Sequence, residues 1–162
     1  MTLRDRVANP SLSERVLVLR RVFDAPRELV FEAWTRPEHL EQWWGPQGFA
    51  TVWHEMEVRP GGTYRFCMRS PDGTDYVKRG NYREIVPPER LVFTFAWEDS
   101  GGAPGHELLV TLTFADHAGK TELTLRQEVF ETLETCESHR RGWTSCFERF
   151  GEYLVATAAA RL

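Results

Sequence analysis

The residues between about 49 and 130 alternate between apolar and polar types with a period of two, whereas from about residue 132 onward the apolar positions return every three or four residues. Turns containing glycine or proline divide the first region into six short segments, and this arrangement predicts an antiparallel sheet. The second region predicts one long amphipathic helix. A sheet and a helix that each have one apolar face bury both faces most simply by packing together. The predicted strands are residues 49–58, 63–69, 76–86, 91–97, 107–114 and 121–130.

The N-terminal part of the chain adds three elements to this plan. Residues 15–23 alternate well enough for a further strand, and Asp24-Ala25-Pro26 begins a helix, because proline is tolerated in the first helical turn. Thr35-Arg36-Pro37-Glu38 has the spacing of a capping box, which predicts a second short helix. Residues 1–14 are polar, so we expect a flexible leader before one domain of residues 15–162. The predicted fold class is α+β, with about seven antiparallel strands, two short helices after the first strand, and one long C-terminal helix across a curved sheet.

The composition excludes several classes of function. The formal net charge of −4 offers no basic surface for nucleic acid. No apolar run approaches the roughly 20 residues of a membrane-spanning helix, and the first residues lack the apolar core of a signal peptide. We therefore expect a cytoplasmic protein that binds no nucleic acid and does not span a membrane. The three cysteines, Cys67, Cys136 and Cys146, have no metal-binding spacing, and we expect reduced, packed thiols.

Four stretches are distinctive enough to compare with known families: RVFDAPRELVFEAWTRPEHLEQWWGP (21–46), VRPGGTYRFCMRSPDG (58–73), YREIVPPERLVFTFAW (82–97) and GWTSCFERFGEYL (142–154). In this order they resemble the family named for the activator of heat-shock protein 90 ATPase homologue. That family is a branch of the START-like, or SRPBCC, superfamily, whose helix-grip fold is shared with the birch-pollen allergen and the polyketide cyclases. The resemblance extends from residue 15 to about residue 155. Because this fold hosts lipid carriers, hormone receptors, cyclases and co-chaperones, function has to be argued from the site.

The resemblance implies a cavity between the concave side of the sheet and the long helix. Aromatic side chains from the strands and from the helix point toward that space in the predicted pattern. One interpretation is a filled core, and the other is a ligand cavity, since each buried hydroxyl or indole N–H needs a partner that a ligand can supply. The candidate ligand-binding residues are Trp43, Trp44, Phe49, His54, Met56, Tyr64, Phe66, Met68, Tyr82, Phe95, Trp97, His139, Trp143 and Phe147.

Trp43 and Trp44 are adjacent large rings that lead directly into a turn at Gly45-Pro46, and Phe49 follows. Successive side chains point in different directions, so one helix or strand buries only one of two neighbouring rings. In a helix-grip protein this segment belongs to the mouth of the cavity. The rings then form either an aromatic gate over the cavity or a hydrophobic plug with one ring in the core.

The polar residues predict little chemistry. The five histidines form no HxxxH or HExxH motif, so we expect no metal and no other cofactor. His54, Tyr64, Tyr82, Gln127 and His139 would support general acid–base catalysis if they met in one cavity. The alternative is that each is a satisfied polar group bonded to its surroundings, and this favours a protein that is not an enzyme.

Two residues disagree with their predicted elements. Strict alternation places Lys78 on the same face as Tyr82, so either a bulge near Gly80 changes the register or Lys78 reaches the mouth of the cavity. Gly142 lies in the middle of the predicted long helix, where glycine costs about 1 kcal/mol relative to alanine. We therefore expect another group to approach the helix closely at Gly142.

Three functions follow as hypotheses. The first is binding of a small hydrophobic molecule in an aromatic-lined cavity, without catalysis. The second, which the resemblance implies, is a co-chaperone-like interaction that stimulates a heat-shock ATPase and ties the protein to the stress response. The third is a cyclase or aromatase type of enzyme, which needs a paired acid and base inside the cavity. The expected partners are an unidentified small hydrophobic molecule and, under the second hypothesis, a chaperone, and the expected state is a monomer or homodimer.

Overall fold

The structure, a computed structural model, describes residues 15–160, and the predicted leader at residues 1–14 lies outside the described residues. The first strand, β1, is Leu17–Phe23, followed by helices α1 (Arg27–Thr35) and α2 (Pro37–Trp43). The long C-terminal helix, α3, is Leu133–Ala160. The remaining strands are β2 (Ala50–Met56), β3 (Thr63–Arg69), β4 (Asp75–Val86), β5 (Arg90–Trp97), β6 (Leu108–His117) and β7 (Lys120–Glu128).

The strands form one curved antiparallel sheet in the order β1-β7-β6-β5-β4-β3-β2. Strands β2 to β7 follow one another as neighbours, and β1 closes the far edge by pairing with β7. The helices cover the concave face, where α3 packs against β1 and α2, and α1 packs against β6 and β7. The predicted fold class and element order are therefore confirmed. None of the helices in the described part of the chain is long and apolar enough to cross a membrane.

The filled end of the core is built around aromatic rings. Trp34 lies 4.7 Å from Trp43 and 5.8 Å from Phe150, measured between ring centroids, and both contacts are edge-to-face. The Trp43 ring is 4.3 Å from Phe150 and is fully buried, with its Nε1 donating to the carbonyl oxygen of Ala33 at 3.1 Å. Aromatic pairs of this kind contribute about 0.5–1.5 kcal/mol each beyond their burial. These contacts join α1, α2 and α3 into one unit.

Two local predictions are wrong. The capping box does not form, because the Thr35 hydroxyl donates back to the carbonyl oxygen of Phe31 at 2.9 Å, and Arg36 occupies the N-cap position of α2 without a side-chain bond. In β2, a register shift between Thr51 and Trp53 turns Val52 outward, where it is 40% exposed. Strict alternation predicts one shared face for Val52, His54 and Met56, but the bulge adds one residue to the alternation and so removes Val52 from that face.

The register of β4 decides the position of Lys78. Lys78 pairs with Phe66 on β3 and with Trp97 on β5, and the register shift between β4 and β5 comes later, at Tyr82–Glu84. The chain therefore alternates regularly through Gly80, and Lys78 faces inward with Tyr82. Glycine is required at position 80 for another reason, because a Cβ there would lie 1.9 Å from the carbonyl oxygen of Thr94. Of the two alternatives for Lys78, the bulge near Gly80 is therefore wrong, and the side chain faces inward.

Candidate functional site

A cavity of about 520 Å³ lies between strands β3–β5 and the N-terminal half of α3, and it opens to solvent. This volume falls within the roughly 300–1,000 Å³ typical of small-molecule sites. Most of the lining surface is apolar and aromatic. The lining residues are Trp44, Gly45, Pro46, Phe49, Met68, Asp75, Tyr76, Val77, Lys78, Phe95, Trp97, Glu98, Ser138, His139, Gly142, Trp143 and Cys146.

The two adjacent tryptophans separate into different environments. Trp43 belongs to the filled core, whereas Trp44 is 5% exposed and lines the cavity. Phe49 is half-buried at the mouth, with its ring centroid 6.0 Å from that of Tyr76. Trp43 therefore fills the core, whereas Trp44 and Phe49 face the cavity.

The rim loop, residues 44–49 between α2 and β2, is held by a side chain of α3. The Arg149 guanidinium donates to the carbonyl oxygens of Phe49 at 2.7 Å and of Trp44 and Pro46 at 3.3 Å. A second contact comes from the Gln47 backbone N–H, which donates to Ser145 Oγ at 2.9 Å. Because the loop carbonyls find their donor on α3, the rim keeps a fixed position relative to the helix wall of the cavity.

Lys78 lies at the base of the cavity and is 3% exposed. Its Nζ is 3.7 Å from the ring centroid of Trp44, 5.4 Å from that of Phe66 and 5.8 Å from that of Phe95. It forms no hydrogen bond or ion pair with any residue between 15 and 160. Burial holds the pKa of the amine well below its usual value, so the uncharged form is more populated at neutral pH than in an exposed lysine.

The two carboxylates that line the cavity are already paired with arginines. Glu98 accepts from Arg65 at 2.7 and 2.8 Å and lies 3.9 Å from Arg79, and the hydrogen bond from Arg65 lowers the pKa of its carboxyl. Asp75 accepts from Arg69 at 2.6 Å, and this bond likewise lowers its pKa. Both groups are therefore ionised and satisfied by guanidinium donors, and neither pairs with the buried amine.

A hydrogen-bonded network fixes the rings on the helix side of the cavity. Trp97 Nε1 donates to His139 Nε2 at 3.1 Å, and His139 Nδ1 lies 3.0 Å from Gln127 Oε1. Trp143 Nε1 donates to the same Gln127 oxygen at 2.8 Å. Indole nitrogens only donate, so His139 Nε2 must accept, and a neutral ring then donates from Nδ1. Burial, together with the nearby Lys78 amine, lowers the pKa of His139 to about 4 and keeps the ring neutral.

The five polar residues considered for acid–base chemistry do not meet in one place. The Tyr64 hydroxyl donates to the carbonyl oxygen of Thr94 at 2.6 Å, while His54 lies 2.9 Å from Glu41 and stacks on Phe66. Both nitrogens of His139 are engaged in the network above. Among the described residues no cluster of three or more histidine, cysteine or acidic side chains could hold a metal ion.

The predicted ligand-binding residues divide into three groups by position. Those that line the cavity are Trp44, Phe49, Met68, Phe95, Trp97, His139 and Trp143. Those around a deeper void of about 20 Å³, which Trp44 and Lys78 also line, are Met56, Tyr64, Phe66 and Tyr82. Those away from both spaces are Trp43, His54 and Phe147. Trp43 and Phe147 are packed in the core, and His54 lies against α2 through Glu41.

The sequence predicted His139 and Trp143 as cavity residues but missed Cys146, which a simple pattern marks. His139, Gly142, Trp143 and Cys146 are spaced three and four apart, so they share one face of α3. The close approach expected at Gly142 is not made by any described part of the protein, since a Cβ there would meet no atom within 4 Å. The glycine instead leaves space at the cavity wall. Cys146 is a buried thiol whose pKa is raised by burial to about 11, so it remains protonated.

Comparison with known proteins finds one matching protein family and several structures with the same fold. The family model described as Activator of Hsp90 ATPase homolog 1-like protein matches residues 24–155. No curated protein matches the chain.

Several solved structures share the fold. The AHSA1 protein from Silicibacter pomeroyi has a TM-score of 0.80 and 26% identity over 88% of this chain and 99% of its own. A protein from Arthrobacter aurescens has a TM-score of 0.81 and 24% identity, covering 91% of this chain and 90% of its own. CalU16 from Micromonospora echinospora has a TM-score of 0.65 and 21% identity over 85% of this chain and 74% of its own.

Proposed function

The chain belongs to the Activator of Hsp90 ATPase homolog 1-like family, and from this premise we propose that it binds a small, largely apolar molecule in the cavity between the sheet and α3. The observation that carries the proposal is the cavity itself, about 520 Å³ in volume, open to solvent and walled by aromatic rings. Removing apolar ligand surface from water supplies about 25 cal/mol per Å², which is the main source of affinity in such a site.

The side chains of the cavity wall are ordered by hydrogen bonds, which supports a binding site rather than a packing defect. The Trp97 and Trp143 rings are each held by a hydrogen bond, to His139 and Gln127 respectively. Rings fixed before the ligand arrives lose little conformational freedom when it binds. The rim loop is likewise held by Arg149. Because the walls of the cavity are already ordered, less of the free energy gained by burying the ligand is lost in ordering side chains, and the affinity is higher.

Native mass spectrometry of the freshly purified protein, compared with its denatured mass, tests this proposal. A co-purified ligand appears as extra mass that is lost on denaturation. Titration with naphthalenemethanol, followed by quenching of tryptophan fluorescence, covers the case in which purification removes the natural ligand. Absence of both extra mass and saturable quenching would contradict the proposal.

A blocked variant provides the control. In Gly142→Leu the new side chain enters open space at the cavity wall and should abolish saturable quenching while the protein stays folded. Thr144→Leu adds a similar side chain to the same helix at an exposed position. It should bind the probe as the unaltered protein does. Equal loss in both variants would mean that quenching does not report on the cavity.

Interaction with a chaperone is the alternative that the family description raises. It predicts that an Hsp90-type ATPase is stimulated equally by the unaltered protein and by Gly142→Leu. Charge reversals on the outer surface would reduce that stimulation. A dependence on the cavity variant would instead link any such effect to the ligand.

A further inference from the structure

We propose that Lys78 is a reactive amine that captures the carbonyl group of an aldehyde or ketone ligand as an imine. This inference rests on the proposed function, because the carbonyl compound has to enter the same cavity. It names a residue, an atom and a ligand class for that site. The other lysine of the chain, Lys120, is exposed at the β6–β7 turn and serves as an internal reference.

The geometry of Lys78 is that of an amine presented to a ligand. The side chain comes from the middle of β4, so its backbone is fixed by pairing with both β3 and β5. Its Nζ lies against the Trp44 ring and has no protein partner among residues 15–160. With no partner among the described residues, an amine at an open cavity is left for solvent or for a group that arrives with the ligand.

The other charged groups of the cavity favour a neutral ligand over an anionic one. Lys78 is the one lysine or arginine among the described residues that line it, whereas two lining residues, Asp75 and Glu98, are carboxylates. A ligand carboxylate would therefore lie beside two carboxylates whose arginine partners do not line the cavity, and it would find no guanidinium there to accept from. An aldehyde or ketone carries no charge, and the aromatic walls accept its apolar remainder.

The surroundings also favour the nucleophilic form of the amine. Desolvation is the main influence on Lys78, and it disfavours the ammonium. From β4 and the end of β5, Asp75 and Glu98 are neutralised by their arginine partners. From α3, His139 is neutral at pH 7 and Cys146 remains a thiol. None of these groups supplies an unpaired negative charge that would restore the ammonium.

The reaction balances without any further reagent. The Nζ lone pair attacks the carbonyl carbon, a C–N bond forms, and the C=O π electrons move to oxygen. A proton passes from nitrogen to that oxygen and gives a carbinolamine. Loss of the hydroxyl as water, with the remaining N–H proton, leaves a C=N bond. The products are one imine and one water, and no group is oxidised or reduced.

Reductive trapping tests the proposal on the full chain. The protein is incubated at pH 7 with naphthaldehyde and cyanoborohydride, which reduces the C=N bond to a stable amine. The adduct adds the mass of the aldehyde less one oxygen atom. Modification of Lys78 blocks tryptic cleavage there and joins Ser70–Lys78 to Arg79 in one peptide. We expect the trapped fraction at Lys78 to exceed that at Lys120 by about tenfold or more, since each unit of lowered pKa raises the free-amine fraction about tenfold.

The outcomes separate this inference from the proposed function. Naphthalenemethanol has the same ring system without the carbonyl group. If the alcohol binds saturably but Lys78 is trapped no faster than Lys120, the imine proposal fails and ligand binding stands. If naphthoate binds much more tightly than the alcohol and Lys78→Met removes that preference, Lys78 is an anion-binding residue and the imine proposal fails. If the alcohol does not bind and Lys78 is not trapped, both proposals fail.

A second comparison shows that trapping depends on the cavity. Gly142→Leu should reduce the Lys78 adduct at least about tenfold and leave the Lys120 adduct unchanged, because it closes the access route without touching the amine. Unchanged trapping at Lys78 in this variant would show that the aldehyde reaches the amine by another path, and the proposed capture of a cavity ligand would be wrong.

Discussion

Gln127 lies fully buried on β7, and a single oxygen atom of its amide accepts hydrogen bonds from two side chains of α3. Those donors, His139 and Trp143, both line the cavity. The Gln127 amide nitrogen finds no partner among the described residues. The oxygen of the Gln127 amide therefore orders the rings of the cavity wall, while the nitrogen of the same amide remains an unsatisfied donor.

Replacing Gln127 with leucine should lower the free energy of unfolding by about 2–4 kcal/mol, because two buried donors lose their acceptor. Urea unfolding at pH 7 measures this change. Gln127→Glu keeps an acceptor oxygen, and its carboxylate should raise the pKa of His139 by stabilising the imidazolium. A leucine variant as stable as the unaltered protein would show that the network does not hold α3 and the sheet together in this region.

The neutral state of His139 gives the protein a specific dependence on acid. Its folded pKa of about 4 lies below the ordinary histidine value of 6.5, so between these pH values the unfolded chain binds more protons than the folded one. The contribution is fully present above about pH 6.5 and is lost as the pH falls to about 4, at a total of about 3 kcal/mol. Urea unfolding across this range should show the decline.

Two histidine variants isolate that effect. His139→Gln removes the titrating group and should flatten the slope between pH 6.5 and 4. His117→Gln, at an exposed position, should leave the slope as it is. If both variants keep the slope, another group dominates the acid sensitivity and the neutral His139 ring is not its cause.

Residue-level patterns predicted which side chains face inward better than which ones bond to each other. Alternation alone places Lys78 beside Tyr82, and the structure keeps that register. Hydrogen-bond partners were not predictable, because the Gln127 and Trp97 contacts with His139 join different elements of the fold. The spacing and polarity of residues predict which face of an element a side chain occupies. A hydrogen bond between two elements depends in addition on the angle at which the helix packs on the sheet.

At the scale of elements, the sequence predicted every strand and helix described in the structure but misplaced details at their ends. The bulge at Thr51–Trp53 adds a single residue, and nothing in the composition of β2 distinguishes Val52 from an inward position. The rim loop was recognised as a turn from Gly45-Pro46, but its attachment to Arg149, about a hundred residues later, was not. Local signals define elements, and distant side chains position the loops between them.

Arg149→Lys should loosen the rim loop. An ammonium cannot reach the carbonyl oxygens of Trp44, Pro46 and Phe49 with the planar geometry of a guanidinium, so some of these acceptors lose their donor. We expect a loss of about 1–3 kcal/mol in the free energy of unfolding and weaker probe binding. Arg141→Lys, at an exposed site on the same helix, is the matched control and should change neither quantity. Unaltered probe binding in the Arg149 variant would mean that the loop position does not affect the cavity.

At the scale of the whole molecule, the sheet and α3 enclose a filled region and an open one. Phe23 on β1 and Phe150 on α3 pack with ring centroids 5.0 Å apart in the filled region. The cavity occupies the other region, beside β3 to β5. The resemblance to known proteins predicted a cavity in this position, but its volume depends on individual residues, since the Trp143 ring takes up space at the wall, whereas the missing side chain of Gly142 leaves space open.

This division predicts where a ligand stabilises the molecule. A ligand slows hydrogen exchange at amides whose local opening disrupts its contacts, since binding favours the closed state. With naphthalenemethanol bound, exchange through local opening should slow in the rim loop, in residues 75–78 and in residues 138–146. Hydrogen exchange through local opening at the amides of β1, β6 and β7 should not change. Gly142→Leu, tested with the same probe, should show no slowing anywhere. Protection centred on β1, β6 and β7 would place the ligand outside the cavity and overturn the assignment of the site.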